Sequence, residues 1–292
     1  MKIMCTLVIG LAMLTIHAHA EEAPPQVDGP VADAAKGIQV LTVQSSYAEG
    51  ANPLEVLLPD RIEPGKTYRT LYILPVERGV GGEYGDAIAE FRKADVHNRY
   101  GLICVFVAFG KSAGWGGSHV SDPSIRHDRY LREVVVPLIE SKFPASAKPE
   151  DRLLIGFSKS GWGVVSLLLR NLDFFGAACS WDAPLMMTEA KLGYGSKHHY
   201  GSPEHAVGYL PITLAKQHAS ELAGGPPRLT IVGSQIFGQH TREFHALLES
   251  LNIPHHYDNS VKFKHHWESG WVPRALEIMM DEPAAPSPQT AP

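Results

Sequence analysis

The segment of this chain best suited to covalent chemistry is Gly156-Phe157-Ser158-Lys159-Ser160-Gly161. It joins an apolar run, 152–157, to a helical pattern over 161–172. A serine on so sharp a strand-to-helix turn is lifted above the sheet edge, provided the residues two before and two after it are small. Gly156 meets the first requirement. Ser160 stands where glycine is usual, and Gly161 follows at once. The helix that starts here favours negative charge at its N-terminus. The backbone N–H of Lys159 is then a candidate oxyanion donor. Ser160 is a poorer nucleophile candidate, because it would put Trp162 where a small residue is required. The plainer reading of Ser158 is a helix cap.

A serine nucleophile needs a base, and where the serine of a triad sits on a strand-to-helix elbow of this G-x-S-x-G kind the order along the chain is serine, acid, histidine. The chain holds 15 histidines, so the type alone decides nothing. Only His265 and His266 fall between the last strand signal, 256–263, and the last helix signal, 271–280. Neutral imidazole there would take the Ser158 proton and return it to the leaving group.

The acid is harder to place. It is ordinarily found in the loop after the seventh strand, which corresponds here to 228–232. That loop reads Gly233-Ser234-Gln235-Ile236-Phe237-Gly238-Gln239-His240, with no carboxylate. Asp182, in Ser180-Trp181-Asp182-Ala183-Pro184, follows the sixth strand and is the substitute. Asp258 is the runner-up, placed near the start of the last strand. A second oxyanion donor should come from Leu74-Pro75-Val76-Glu77. Pro75 has no N–H, which leaves Val76, with Glu77 next in line. Trp115, in a Gly/Ser-rich loop, is a candidate wall of a substrate pocket.

These residues need a scaffold that delivers them to one place. Strand signals at 38–43, 53–58, 71–76, 102–108, 152–157, 177–181, 228–232 and 256–263 alternate in the chain's middle with helical patterns. The helices expected are 86–96, 123–141 with Pro137 as a kink, 161–172, one capped by Thr241, and 271–280. Alternation of this kind predicts an α/β fold, with a mostly parallel sheet of about eight strands and helices on both faces. Ligands on such sheets sit at the carboxyl ends of the strands.

Length and composition suit one large domain. The chain has 292 residues, 44% of them hydrophobic, and a formal net charge of −5, which offers no basic surface to nucleic acid. Residues 1–20 read as a secretory signal. Lys2 precedes an apolar run too short to span a bilayer, and Ala18-His19-Ala20 has the small-x-small form of a cleavage site. A flexible leader over 21–35, a domain over 36–281 and a disordered tail over 282–292 are expected, with a secreted or periplasmic location and no later membrane span. Cys104 and Cys179 are read as buried free thiols on separated strands.

The pairs His198-His199, His255-His256 and His265-His266 lack the spacing of a known metal motif, so no metal site is expected. No nucleotide-binding glycine motif is present, and no cofactor is expected.

Three segments carry a family likeness. They are Tyr130 to Phe143 with Val136-Pro137-Leu138-Ile139-Glu140, Gly156 to Gly163, and His265-His266-Trp267 with Trp271. Over 68–280 the chain resembles the esterase D-like and feruloyl esterase-like group of α/β hydrolases, which also includes mycolyl transferases. The resemblance implies the α/β-hydrolase fold, Ser158 as nucleophile, and His265 as base through the group's His-x-Trp ending. It implies a carboxylic-ester hydrolase working through an acyl-enzyme, on a small-molecule or polysaccharide-linked ester. An acyl transferase or serine peptidase would use the same residues. The group's aspartate has no counterpart after the seventh strand, which leaves a non-catalytic hydrolase-fold binding protein as the alternative.

Overall fold

The computed structural model describes residues 23–77, 84–110, 112–233, 235–260 and 262–280. The expected signal segment, the tail and most of the Gly-rich loop after Glu77 lie outside the described residues.

Among the described residues nine strands form one sheet in the order β1-β2-β3-β5-β4-β6-β7-β8-β9. They are β1 (Gln26–Asp33), β2 (Ile38–Ser45), β3 (Ala48–Leu57), β4 (Arg69–Ile73), β5 (Leu102–Val107), β6 (Arg152–Phe157), β7 (Ala177–Trp181), β8 (Leu229–Val232) and β9 (His255–Asp258). From β5 through β4 to β9 every pairing is parallel, whereas β1, β2 and β3 join antiparallel. All six residues of β5 are buried, as a strand covered by helices on both faces requires.

The helices divide between the two faces. On one side Trp162, Val165 and Leu169 of the helix Ser158–Arg170 pack with Tyr130, Val135 and Ile139 and with Phe244 and Leu248. On the other, Ile88 and Phe91 pack with Trp271, Val272 and Leu276. Asp86 caps the helix Ala87–Lys93, accepting the Ala89 N–H at 3.1 Å. Cys104 and Cys179 are both free and buried, on strands separated by β4 and β6. No helix among the described residues is long and apolar enough to cross a membrane.

Several elements differ from expectation. Residues 26–33, read as part of a flexible leader, form edge strand β1, held by its ladder to β2. Its Pro/Ala-rich composition concealed backbone pairing that needs no buried side chains. The helix expected over 123–141 begins at His127 and is π-helical over Tyr130–Val135, becoming α-helical at Val136–Lys142. Pro137 cannot donate into an α-helical ladder, and a wider turn just before it absorbs the misfit.

Thr241 does not cap its helix. Gly238–Ser250 starts a turn earlier, and the Thr241 hydroxyl donates to the Phe237 carbonyl at 3.1 Å. The last strand is four residues long and ends at Asp258. Between β7 and β8 lie four short helices, Ser196–Tyr200, Pro203–Ala206, Pro211–Gln217 and Ala219–Leu222, that the periodicity did not announce.

Candidate active site

Ser158 sits immediately beyond the carboxyl end of β6 with φ +55°. Left-handed backbone is costly for a residue with a Cβ, about 1–2 kcal/mol, and such strain gathers at functional sites. The turn is as tight as the sequence pattern requires. A Cβ on Gly156 would fall 2.6 Å from the Ser160 carbonyl. Ser160 is tolerated because its side chain turns inward. Its Oγ donates to the Phe157 carbonyl at 3.0 Å and accepts the Phe157 N–H at 3.2 Å. That hydroxyl is fully buried and committed to the backbone, whereas Ser158 retains 6% exposure.

Asp182 stands just beyond the end of β7, also left-handed at φ +42° and with no solvent exposure. Its carboxylate accepts the Phe237 N–H at 2.8 Å and the Ile236 N–H at 2.9 Å. Both donors belong to the loop after β8, the loop that carries no acid of its own. The remaining side-chain partner among the described residues is His265 Nδ1, at 2.8 Å from Oδ2. A buried carboxylate there fixes the tautomer: Nδ1 carries the proton and Nε2 presents its lone pair.

The His265 ring is walled by aromatics. Phe157 meets it edge-on at 5.0 Å between centroids, and Trp181 lies nearly parallel at 6.0 Å. Tyr84 and Phe237 close the other sides at 6.0 and 5.8 Å. Phe157 directly precedes Ser158, and Trp181 directly precedes Asp182. The imidazole therefore lies over the ends of β6 and β7, where both residues emerge.

The rival residues are engaged elsewhere. His266 Nδ1 accepts the Glu268 N–H at 3.3 Å, capping a short turn. Asp258 is the last residue of β9, not near its start as expected, and is bound by Arg274 at 2.9 Å and by the Ser260 hydroxyl. Burial pushes its carboxyl up, but the Ser260 and Arg274 hydrogen bonds outweigh this and hold it below the usual range.

Lys159 opens the elbow helix, so its backbone N–H is among those without an intrahelical acceptor. Its side chain pairs with Glu77 and lies 6.0 Å from the Trp115 ring centre. Val76 is buried at the end of the β4 loop, and its carbonyl accepts the Gly114 N–H at 3.3 Å. The Gly114 loop lies against this strip, since a Cβ there would meet the Pro75 oxygen at 1.7 Å and Ser160 Cβ at 3.0 Å.

Trp115 is 2% exposed and borders a cavity of about 450 Å³, together with Lys159, Phe109, His119, His198 and Asp122. It also packs edge-on against Trp162 at 5.4 Å. Tyr200, from a helix absent from the sequence reading, anchors the Trp115 carbonyl at 3.0 Å. His199 on the same helix borders this cavity too, and burial lowers it to a pKa of about 4. The signal for these cavity residues was the paired histidine at 198–199, which pattern alone could not place.

A mostly parallel sheet with helices on both faces, a left-handed serine after β6 and a histidine after the last strand define the α/β-hydrolase fold. Solved structures of that fold match across most of the chain. A ferulic acid esterase superposes with a TM-score of 0.63 at 16% identity, covering 88% of this chain and 96% of its own. The S-formylglutathione hydrolase of Staphylococcus aureus gives 0.64 at 18%, over 83% and 98%. Mycobacterium tuberculosis MPT51 gives 0.61 at 16%, over 89% and 97%. At these identities the likeness is one of fold. No family model and no curated protein sequence matches the chain.

Proposed function

We propose that this chain is an exported serine hydrolase that cleaves carboxylic esters through an acyl-enzyme. The observation that carries the reading is the 2.8 Å bond between buried Asp182 and His265, with the imidazole held over the turn that strains Ser158. In this mechanism Ser158 Oγ attacks the ester carbonyl while His265 Nε2 accepts its proton. Asp182 holds the imidazole in that tautomer and stabilises the imidazolium that forms. The Lys159 N–H and the Val76 N–H receive the developing oxyanion. His265 returns the proton to the leaving alcohol, and water deacylates the serine by the same route.

Trp115 and the adjacent cavity take the substrate. The wall mixes Phe109 and Trp115 with Lys159, His119, Ser112 and Asp122. An ester with a flat or apolar portion and hydroxyl groups fits such a lining, as a small molecule or a decorated sugar would provide. Proteins of similar fold, a ferulic acid esterase and an S-formylglutathione hydrolase, agree with ester or thioester cleavage. Export rests on residues 1–20, and the mature chain would then begin at Glu21.

The test is a fluorophosphonate probe with p-nitrophenyl acetate turnover as a second readout. Wild-type protein should label and turn over, and Ser158→Ala should do neither while unfolding at a similar temperature. Equal labelling of the Ser158→Ala variant, or no labelling of well-folded wild type, would overturn the proposal.

A further inference from the structure

At the opposite end of the sheet, His245, Glu249 and His255 bring three potential ligand atoms within 4.8 Å of one another. His245 and Glu249 lie four residues apart on the helix Gly238–Ser250, and so share one face. The chain then reverses through Asn252, left-handed at φ +55°, and enters β9 at His255. This places an imidazole from the strand directly beneath the pair on the helix.

The ligand atoms are aimed by their surroundings. His255 Nδ1 lies 2.8 Å from the Ile253 carbonyl, which can only accept. Its proton is therefore on Nδ1, and Nε2 carries the free lone pair. Backbone carbonyls orient metal-binding imidazoles in this manner. Tyr257, two residues along the same strand, stacks on His245 at 3.8 Å and 4° between planes. That stack turns His245 Nδ1 toward His255 Nε2, 2.8 Å away. Glu249 Oε1 completes the triangle, 4.0 Å from His255 Nε2. The His255 side chain is 1% exposed and Glu249 66%, so the site is closed on the protein side and open to solvent on the other.

We propose that His245, Glu249 and His255 bind a divalent transition ion of the zinc class, with water as the fourth ligand. Two imidazole nitrogens on one tetrahedral ion at about 2.0–2.1 Å sit about 3.3 Å apart. The present 2.8 Å separation therefore opens by about half an ångström on binding. Without the ion, His245 Nδ1–H donates to His255 Nε2. The ion takes that proton's place, and the proton moves to His245 Nε2, leaving both rings neutral. Two imidazoles and a carboxylate suit zinc, copper or nickel over calcium or magnesium.

The ion would pin edge strand β9 to its covering helix. It would do no chemistry on the ester, because His255 opens β9 at the end opposite the strand ends that carry Ser158 and Asp182.

The experiment uses the full mature chain without a histidine tag, stripped with chelator and titrated with zinc chloride by calorimetry. Cobalt(II) absorption reports the coordination number. Wild type should bind one equivalent, give a four-coordinate cobalt spectrum, and unfold at a higher temperature with zinc than without. Glu249→Gln should weaken binding by roughly 10-fold or more, and His245→Gln should remove the saturable site. Glu249 is exposed and His245 half-buried, and glutamine keeps polar atoms at both positions, so these variants should fold. Ser158→Ala should bind zinc as wild type does, which separates this site from the proposed activity. Identical stoichiometry and affinity in wild type and His245→Gln would mean that other histidines take the metal. That result, or no zinc bound by well-folded wild type, overturns the proposal.

Discussion

Replacing Asp182 with asparagine separates orientation of the imidazole from maintenance of the fold. The carboxylate accepts from the Phe237 N–H at 2.8 Å, the Ile236 N–H at 2.9 Å and His265 Nδ1 at 2.8 Å. Asparagine has one accepting oxygen. Oδ1 can keep the Phe237 bond, which puts the amide NH₂ where Oδ2 faced His265. An N–H there demands a lone pair on Nδ1, so the imidazole proton moves to Nε2, where it cannot accept the Ser158 proton. The variant also removes the charge that stabilises the imidazolium. Two unit charges about 4 Å apart at an effective dielectric of about 20 interact by about 4 kcal/mol. That alone is roughly 10³-fold in rate, and the tautomer change carries the expected loss toward roughly 10⁴-fold.

The fold should survive, because asparagine is one of the few residues that accepts the left-handed backbone found here at φ +42°. The Ile236 N–H loses Oδ2 at 2.9 Å but keeps Oδ1 at 3.1 Å, a cost no larger than one net hydrogen bond, about 0.5–1.5 kcal/mol. The measurement is kcat/KM for p-nitrophenyl acetate, beside a thermal melt. Asp258→Asn serves as the control and should change kcat/KM by less than about 3-fold, since that carboxylate serves Arg274 and Ser260. Retention of more than about a tenth of wild-type activity by Asp182→Asn would show that Asp182 does not set the tautomer of His265, whatever the variant's melting temperature.

Lys159→Ala should keep kcat within about 10-fold of wild type, because the proposed donor is its backbone N–H and not its ammonium. A loss comparable to that of Asp182→Asn would assign the side chain a role in the reaction. Ser158→Gly and Ser158→Ala should both be inactive, but the glycine variant should be more stable by about 1 kcal/mol in urea unfolding, since only alanine retains the strain of φ +55°. His127 is fully buried and stacked on Phe109 at 4.1 Å, and its ring nitrogens have no hydrogen-bond partner among the described residues. Burial holds its pKa well below the unfolded value, so acid protonates the unfolded chain first and stability falls as pH drops below about 6.5. His127→Phe should flatten that decline between pH 6.5 and 5 by up to about 1.4 kcal/mol per pH unit. An unchanged slope would show that His127 takes up its proton in the folded state as readily as in the unfolded one.

Strand–helix alternation made the sheet legible from β2 to β9, because buried parallel strands such as 102–107 and 152–157 are continuous apolar runs bounded by turn residues. What escaped was structure held by something other than an apolar period. Strand β1 is a backbone ladder on a mostly exposed sequence. The four short helices between β7 and β8 are only four to seven residues each, too short for a periodic stripe. Ser158 was legible because a sharp turn restricts residue size at Gly156 and Ser160, a local constraint that sequence displays. Asp182 and His265 are 83 positions apart, and nothing local says that they meet. Chain order, the absence of a carboxylate after β8 and the His-x-Trp likeness at His265 were the pointers. The His245, Glu249 and His255 group was hidden for a similar reason. Its spacing matches no metal motif, and the turn at Asn252 that folds it together is visible only in three dimensions.

The acid's position after β7 raises a question of how a carboxylate there can be held as firmly as one on the neighbouring loop. The loop after β8 answers it. Gly233, left-handed at φ +94°, turns the chain so that the following backbone faces β7. The N–H groups of Ile236 and Phe237 then point at Asp182, and the side chain of Phe237 turns to the imidazole at 5.8 Å. Carboxylate and backbone donors have thus divided one task between two adjacent strand ends. The constraint on that loop is on its conformation, since any residue other than proline supplies an N–H. Substitutions at Ile236 that keep the backbone should accordingly be mild. Ile236→Pro removes a donor from a buried carboxylate and should impair ester turnover well beyond Ile236→Ala.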